Sequence, residues 1–193
     1  MPFAVEMYMD SVTEAAVWKL CESVSDAGLS SFMLKSGARP HVSLALFKEI
    51  DLADFKRELK VFADKIEPFE VTFVSIETFP TEEGVVFLAP IVTQKLLDVH
   101  ARFHSTFSRY RPYASAHYLS DKWVPHCTVS MDLKSDQVGR VIDICRQTHL
   151  PISGKGCTPG KRALRLCCQG NWIECLSRRG AQQLPDEYLP APG

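Results

Sequence analysis

Two pentapeptides carry residue types that together could move protons and hold a phosphate: Pro40-His41-Val42-Ser43-Leu44 and, eighty-five positions on, Pro125-His126-Cys127-Thr128-Val129. Each reads Pro, His, any residue, a hydroxyl residue, then an aliphatic, in an apolar setting that suits a β-strand. Side chains two apart on a strand share a face, so His41 and Ser43 are expected on one surface and His126 and Thr128 on another. An imidazole titrates near pH ~6.5, so of two facing one cleft, one can accept a proton while the other donates one. Cleaving a phosphodiester needs both transfers, one to activate a hydroxyl or water and one to protonate the leaving oxygen. Ser43 and Thr128 would donate hydrogen bonds to the non-bridging oxygens as charge develops. The scheme needs no metal and no other cofactor.

Other residues near the motifs have roles to offer. Tyr113, Tyr118, Lys122 and Trp123 precede the second motif; the aromatics could stack a base of a short RNA and Lys122 meet a phosphate, or Trp123 could simply pack in the core. Arg39, two before His41, is a further substrate-binding candidate. Cys127 alternates away from the His126 face and reads as buried packing, not as a nucleophile. His100 and His104 stand four apart on one helix, but no third ligand completes a metal site, so they read as a helix rim. The glycine-rich, polar stretch 153–161 lacks the glycine spacing of a phosphate-cradling P-loop, has Arg162 where Ser or Thr would follow, and reads as a flexible loop. The basic residues of segment 155–179 could attract an RNA backbone, although a solvated surface is the commoner outcome.

The elements that must position the motifs follow from periodicity. Phe3 to Met9 alternates with period two and predicts a half-buried strand with Phe3, Val5, Met7 and Met9 on one side and Ala4, Glu6 and Tyr8 on the other. Ser11-Val12-Thr13-Glu14 matches a capping box, followed by a helix with Val17, Leu20, Cys21 and Val24 inside that ends at Gly28. A loop over 30–39 leads into the first motif strand, 40–47. Asp51 opens a helix that buries Phe55, Leu59, Phe62 and Ile66. Strands are expected over 69–79 and 85–91 around a turn at 81–84, then a helix from Thr93 to about Arg109 and a loop over 110–122. The second motif strand covers 123–131, Ser135 caps a fourth helix, and short strands are expected at 162–168 and 172–177. Past Gly180 three prolines and no periodicity predict a disordered tail, 181–193.

The two halves repeat. Opening strands at Phe3 and Val85, motifs at Pro40 and Pro125, and prolines after the following helix at Pro68 and Pro151 give offsets of 82, 85 and 83. A constant offset across strand, helix, motif strand, helix and strand implies an internal duplication. The expected fold is α+β: one bilobal, pseudo-symmetric domain over 1–180. Its lobes are about 1–80 and 81–180, with intertwining allowed. Each lobe is an antiparallel sheet with helices outside, and the active site lies in the cleft between them.

The bulk numbers fit this. The 193 residues suffice for one well-filled core, and 22 basic against 23 acidic residues leave no overall field for long nucleic acid, which excludes double-stranded DNA as the expected partner. No apolar run approaches the ~20 residues that span a bilayer. The seven cysteines, odd in number and without a C-x-x-C pair, suggest reduced thiols. A soluble cytoplasmic monomer is expected, with a nuclear location also compatible.

The doubled H-x-[ST]-aliphatic motif in two similar halves resembles the two-histidine (2H) phosphoesterase superfamily, which includes the 2'-5' RNA ligase-like proteins and cyclic nucleotide phosphodiesterases. The resemblance covers about residues 1–155. It implies a bilobal α+β fold, metal-independent chemistry between the lobes, and substrates that are RNA ends, cyclic-phosphate nucleotides or short oligonucleotides with 2',5' linkages. It also implies that His41 and His126 form the acid/base pair and that Ser43 and Thr128 hold the phosphate, with the assignment of acid and base left open. Hydrolysis of a 2',3'-cyclic phosphate or a 2',5' linkage is the leading expectation. Reversible 2',5' ligation uses the same residues, and a non-catalytic RNA- or nucleotide-binding module of the same fold is the alternative from another class. Both proton-transfer groups being present favours an enzyme.

Overall fold

The computed structural model describes residues 3–156 and 164–168. β1 (Phe3–Tyr8) is the middle of a three-stranded antiparallel sheet, flanked by β2 (His41–Phe47) and β7 (Leu164–Cys168). β3 (Phe69–Thr78), β4 (Val86–Pro90), β5 (Cys127–Ser130) and β6 (Ile152–Gly156) make a four-stranded antiparallel sheet in the order β5-β4-β3-β6. The strands are therefore exchanged between the halves of the chain. β3, from the first eighty residues, pairs with β4 and β6, whereas β7, from the second half, pairs with β1.

The helices cross over too. α1 (Ser11–Asp26) leaves the three-stranded sheet and lies against β5, β6 and α5 (Ser135–Cys145), burying Val17, Leu20, Cys21 and Val24 as its periodicity predicts. The other sheet is covered by α3 (Leu52–Asp64) and α4 (Gln94–Thr106). There Phe47 of β2 meets Phe55 at 5.4 Å and Phe103 at 6.3 Å between ring centroids. Side chains from both sheets join one continuous core, which includes Val5, Leu44, Phe73, Leu88 and Val129. At ~25 cal/mol per Å² of apolar surface, this shared burial is what holds the exchanged strands together.

A β-bulge falls at the same place in both motif strands. In β2 the register passes from Ser43, opposite Glu6, to Ala45, opposite Val5, so Leu44 is the extra residue. In β5 it passes from Thr128, opposite Phe87, to Ser130, opposite Val86, so Val129 is the extra residue. The aliphatic that closes each motif is thus the bulged position, and both Leu44 and Val129 are buried. Bulges sharpen local twist and re-aim neighbouring side chains.

Local details depart from expectation for physical reasons. Asp10, not Ser11, caps α1: its carboxylate accepts from the backbone N–H of Val12 at 3.1 Å and Thr13 at 2.9 Å, and it also accepts from Lys155 on β6 at 2.6 Å. Burial works to raise the Asp10 carboxyl, but the donors from Thr13, Lys155 and Val12 outweigh it and hold it below its ordinary range. Glu14, expected to complete the capping box, is turned to Arg39 instead. Lys134, not Ser135, precedes α5, and Gln137 accepts its N–H at 2.9 Å. A short helix α2 (Phe32–Ser36) occupies part of the expected loop, and α4 stops at Thr106 before a 3-10 turn over Ser108–Tyr113.

The largest departure is β6. Residues 152–156, expected to lie mostly in a glycine-rich loop, pair with β3 from Phe69↔Gly156 to Phe73↔Ile152. The glycine is needed for contact, not for flexibility: a Cβ on Gly154 would stand 1.6 Å from Thr13 Oγ1 and 2.7 Å from Asp10 Oδ2, where the start of α1 presses on the strand. The strand expected at 172–177, the tail over 181–193 and most of the basic segment lie outside the described residues.

Candidate active site

β2 and β5 lie side by side without pairing, one from each sheet, and the two motifs meet there. The thiol of Cys127 lies at the His41 backbone N–H, a direct tie between the motifs. Cys127 is fully buried, and burial pushes its thiol up to about 12, which fits packing and not nucleophilic chemistry. His126 stands one residue ahead of β5, since the strand begins at Cys127 and not at 123 as periodicity predicts.

The two imidazoles are held alike. His41 Nδ1 lies 2.6 Å from the Arg39 carbonyl and His126 Nδ1 lies 2.7 Å from the Val124 carbonyl, in each case two residues upstream. A carbonyl only accepts, so Nδ1–H donates in both rings and the two imidazoles share one tautomer. No hydrogen bond among the described residues engages the Ser43 or Thr128 hydroxyl; Ser43 is half-buried and Thr128 is buried.

The surroundings differ. His126 packs on Phe79 at 5.1 Å and Phe87 at 5.2 Å between ring centroids. Burial in that aromatic corner pushes its imidazole below the ordinary range; the Val124 carbonyl pulls the other way, and the nearby His41 adds to the lowering. His41, by contrast, faces a carboxylate: Glu6 Oε1 is 3.7 Å from its Nε2, and the Tyr8 hydroxyl donates to Glu6 Oε2 at 2.5 Å. Alternation along β1 places Glu6 and Tyr8 on the face away from Val5 and Met7, and that face is covered too, since Glu6 is 2% and Tyr8 8% exposed. Sequence reasoning missed Glu6, Tyr8, Phe79 and Phe87. The available signal was an acid and a tyrosine alternating with core residues in a strand that runs beside the first motif.

Two of the substrate-binding candidates, Arg39 and Trp123, have their side chains engaged within the protein. Arg39 Nε donates to Glu14 Oε1 at 2.8 Å, its Nη2 donates to the other carboxylate oxygen, and its guanidinium lies 4.5 Å over the Tyr8 ring. Trp123 stacks on His100 with centroids 3.8 Å apart and planes 6° from parallel, and its Nε1 donates to the Ser43 carbonyl at 3.0 Å. His104 Nε2 donates to the Leu44 carbonyl at 3.1 Å, and His100 Nε2 to the Tyr118 carbonyl at 3.0 Å. The pair four apart is therefore not a helix rim: with Trp123 it fixes the bulged backbone of the first motif. Tyr118 contributes its carbonyl to this cluster, and Lys122 is exposed on the turn before it.

Burial, with His104 adding to it, pushes the His100 imidazole down to about 4 against the pull of the Tyr118 carbonyl. A folded value below the unfolded one means that the unfolded chain takes the proton first. The contribution of neutral His100 is therefore complete above pH ~6.5 and is lost as the pH falls toward 4, by up to about 3 kcal/mol. His104 and His126 shift the same way. The urea midpoint should fall steadily from pH 6.5 to 4, and His100→Gln should flatten that fall; a wild-type midpoint constant over this window would contradict the assignment.

The two motifs thus present two imidazoles of matched tautomer, each followed two residues later by a hydroxyl that no other described residue engages. The family model of the 2'-5' RNA ligase superfamily matches residues 19–157, and the chain belongs to that superfamily of 2H phosphoesterases. The crystal structure of E. coli LigT complexed with 3'-AMP superimposes with a TM-score of 0.49 at 14% identity, over 87% of this chain and 94% of that one. The crystal structure of a phosphoesterase gives 0.47 at 15% identity, over 88% and 95%. No curated protein matches the chain significantly.

Proposed function

We propose that the protein is a metal-independent phosphodiesterase acting on RNA ends or short oligonucleotides, opening a 2',3'-cyclic phosphate or hydrolysing a 2',5' linkage. His41 and His126 carry the two proton transfers, and Ser43 and Thr128 hold the non-bridging oxygens. The observation that carries the reading is the matched pair of Nδ1 bonds to the carbonyls of Arg39 and Val124, which sets the same tautomer on both rings at equivalent places in the two motifs. Membership of a superfamily of phosphoesterases supports it. With the barrier divided between two positioned imidazoles, each is expected to supply ~10²–10⁴-fold.

The test is a panel of 2',3'-cyclic mononucleotides and of dinucleotides joined 2',5' or 3',5'. Turnover of a cyclic phosphate or a 2',5' linkage, with 3',5' dinucleotides untouched, is expected. Binding without turnover would make the protein a module, and joining of a cyclic-phosphate end to a 5'-hydroxyl in preference to hydrolysis would make it a ligase.

A further inference from the structure

We propose that Trp123 is a positioning residue that ties the two motifs to one another: its indole holds the Ser43 peptide from the segment that carries His126, and so sets where the Ser43 hydroxyl stands relative to the second motif. The proposal rests on the phosphodiesterase reading for what Ser43 does there, but not for the tie itself.

β2 is an outer strand of its sheet and pairs with β1 along one edge. Backbone groups on the other edge need partners of a different kind. Two of its carbonyls find them in side chains, since Trp123 Nε1 donates to Ser43 at 3.0 Å and His104 Nε2 to Leu44 at 3.1 Å. Successive carbonyls of a regular strand point to opposite edges, and the bulge at Leu44 lets both accept from one cluster. His100 sits in the middle of that cluster. It is 2% exposed, Trp123 stacks on it at 3.8 Å, and His104 lies 4.5 Å from it between ring centroids. Its own donation to the Tyr118 carbonyl holds the turn from which Trp123 projects, and the Trp123 backbone N–H closes that turn on the Leu119 carbonyl at 2.9 Å. The indole is thus already fixed where it reaches β2.

The other end of the tie is short. Val124 follows Trp123, and its carbonyl accepts from His126 Nδ1 at 2.7 Å. The residue whose indole holds the Ser43 peptide is therefore next in sequence to the residue whose carbonyl orients His126. Removing the indole N–H frees the Ser43 peptide on this side while both imidazoles and both hydroxyls stay in the chain. A reacting constellation misplaced by ~1 Å can lose ~10²-fold in rate, even when the change lies away from the chemistry. Trp123 touches no reacting atom and acts through Ser43.

The experiment compares wild type with Trp123→Phe, which keeps an aromatic ring against His100 but has no N–H to donate, with Ser43→Ala and with the double variant. Each is assayed on the cyclic-phosphate and 2',5' substrates and unfolded in denaturant. Trp123→Phe is expected to lose about tenfold or more in kcat with KM little changed. Added to Ser43→Ala it should cost little more, because the two changes act on one group. Val141→Ala is the control for packing: Val141 is buried in α5, which lies against α1, β3 and β4, and its loss should lower the unfolding midpoint with kcat unchanged. An equal kcat loss in Val141→Ala at an equal loss of midpoint would reduce Trp123 to packing and overturn the proposal. So would a raised KM with kcat unchanged, the sign of a base platform, or losses that multiply in full in the double variant. The tie itself is read without substrate from the Trp123 indole N–H, assigned by its loss in Trp123→Phe. Slow exchange with water is expected, and exchange as fast as that of a free indole would overturn the proposal. A slowly exchanging indole in a protein that turns over nothing on the substrate panel would support the tie and overturn the phosphodiesterase reading.

Discussion

Alanine at residue 154 is expected to lower stability by about 3 kcal/mol or more, seen as a large drop in the denaturant midpoint with an unchanged slope. The added Cβ would stand 1.6 Å from Thr13 Oγ1 and 2.9 Å from Thr13 Cβ, and Thr13 is completely buried. Neither partner can give way at little cost. Moving α1 outward breaks the contacts that seat its first turn: Asp10 N–H to the Lys155 carbonyl at 3.0 Å, Lys155 N–H to Asp10 Oδ2, and Thr13 Oγ1 to the Ser153 carbonyl at 3.3 Å. Moving β6 outward breaks its pairing with β3. Overpacking alone costs about 1–3 kcal/mol and loss of a helix cap about another 1. Thr13→Ala should restore part of the loss in the double variant, because the two changes share one contact. A Gly154→Ala midpoint equal to that of wild type would show that α1 does not press on β6.

Much of the site was legible because it obeys short periods. His41 and Ser43, like His126 and Thr128, are two apart, and their strands carry enough aliphatics to be recognised without partners. The helix faces of α1 and α3 could be read for the same reason. Pairing between distant strands leaves no such trace. Nothing local in Phe69–Thr78 says that it joins β4 and β6 instead of β1, and nothing in Leu164–Cys168 says that it joins β1. Asp10 and Ser11 are both good caps one residue apart. Asp10 prevails because its second oxygen also reaches Lys155, on a strand 145 residues away. Gly154 looked like a loop residue because sequence does not reveal which side chain will press on it. Alternation sorts Glu6 and Tyr8 onto the second face of β1 but does not tell whether that face meets water or is packed. Trp123 was ambiguous between a base platform and packing, and the stack on His100 together with the bond to the Ser43 carbonyl puts it in support of the first motif.

The second large effect falls on the histidines. On the proposed mechanism, removing either imidazole should lower kcat by about 10²–10⁴-fold, since each would supply one of two proton transfers in the same passage over the barrier. The folded state should tolerate both changes differently. His126→Ala leaves a hollow beside Phe79 and Phe87, whereas His41→Ala leaves Glu6 buried beside Tyr8 without the imidazole. His41→Gln and His126→Gln are therefore useful companions, because they keep bulk at each position while removing the titrating ring. Groups that act as a unit are not additive, so the double variant should fall little further than either single one.

The most direct measurement is turnover of a 2',3'-cyclic mononucleotide and a 2',5' dinucleotide in excess EDTA by wild type, His41→Ala, His126→Ala and the double variant, with folding checked for each. Undiminished wild-type turnover under chelation is expected, with a comparable loss in each single variant and little further loss in the double. Turnover abolished by EDTA, or retained when either histidine alone is removed, would contradict a paired-histidine mechanism.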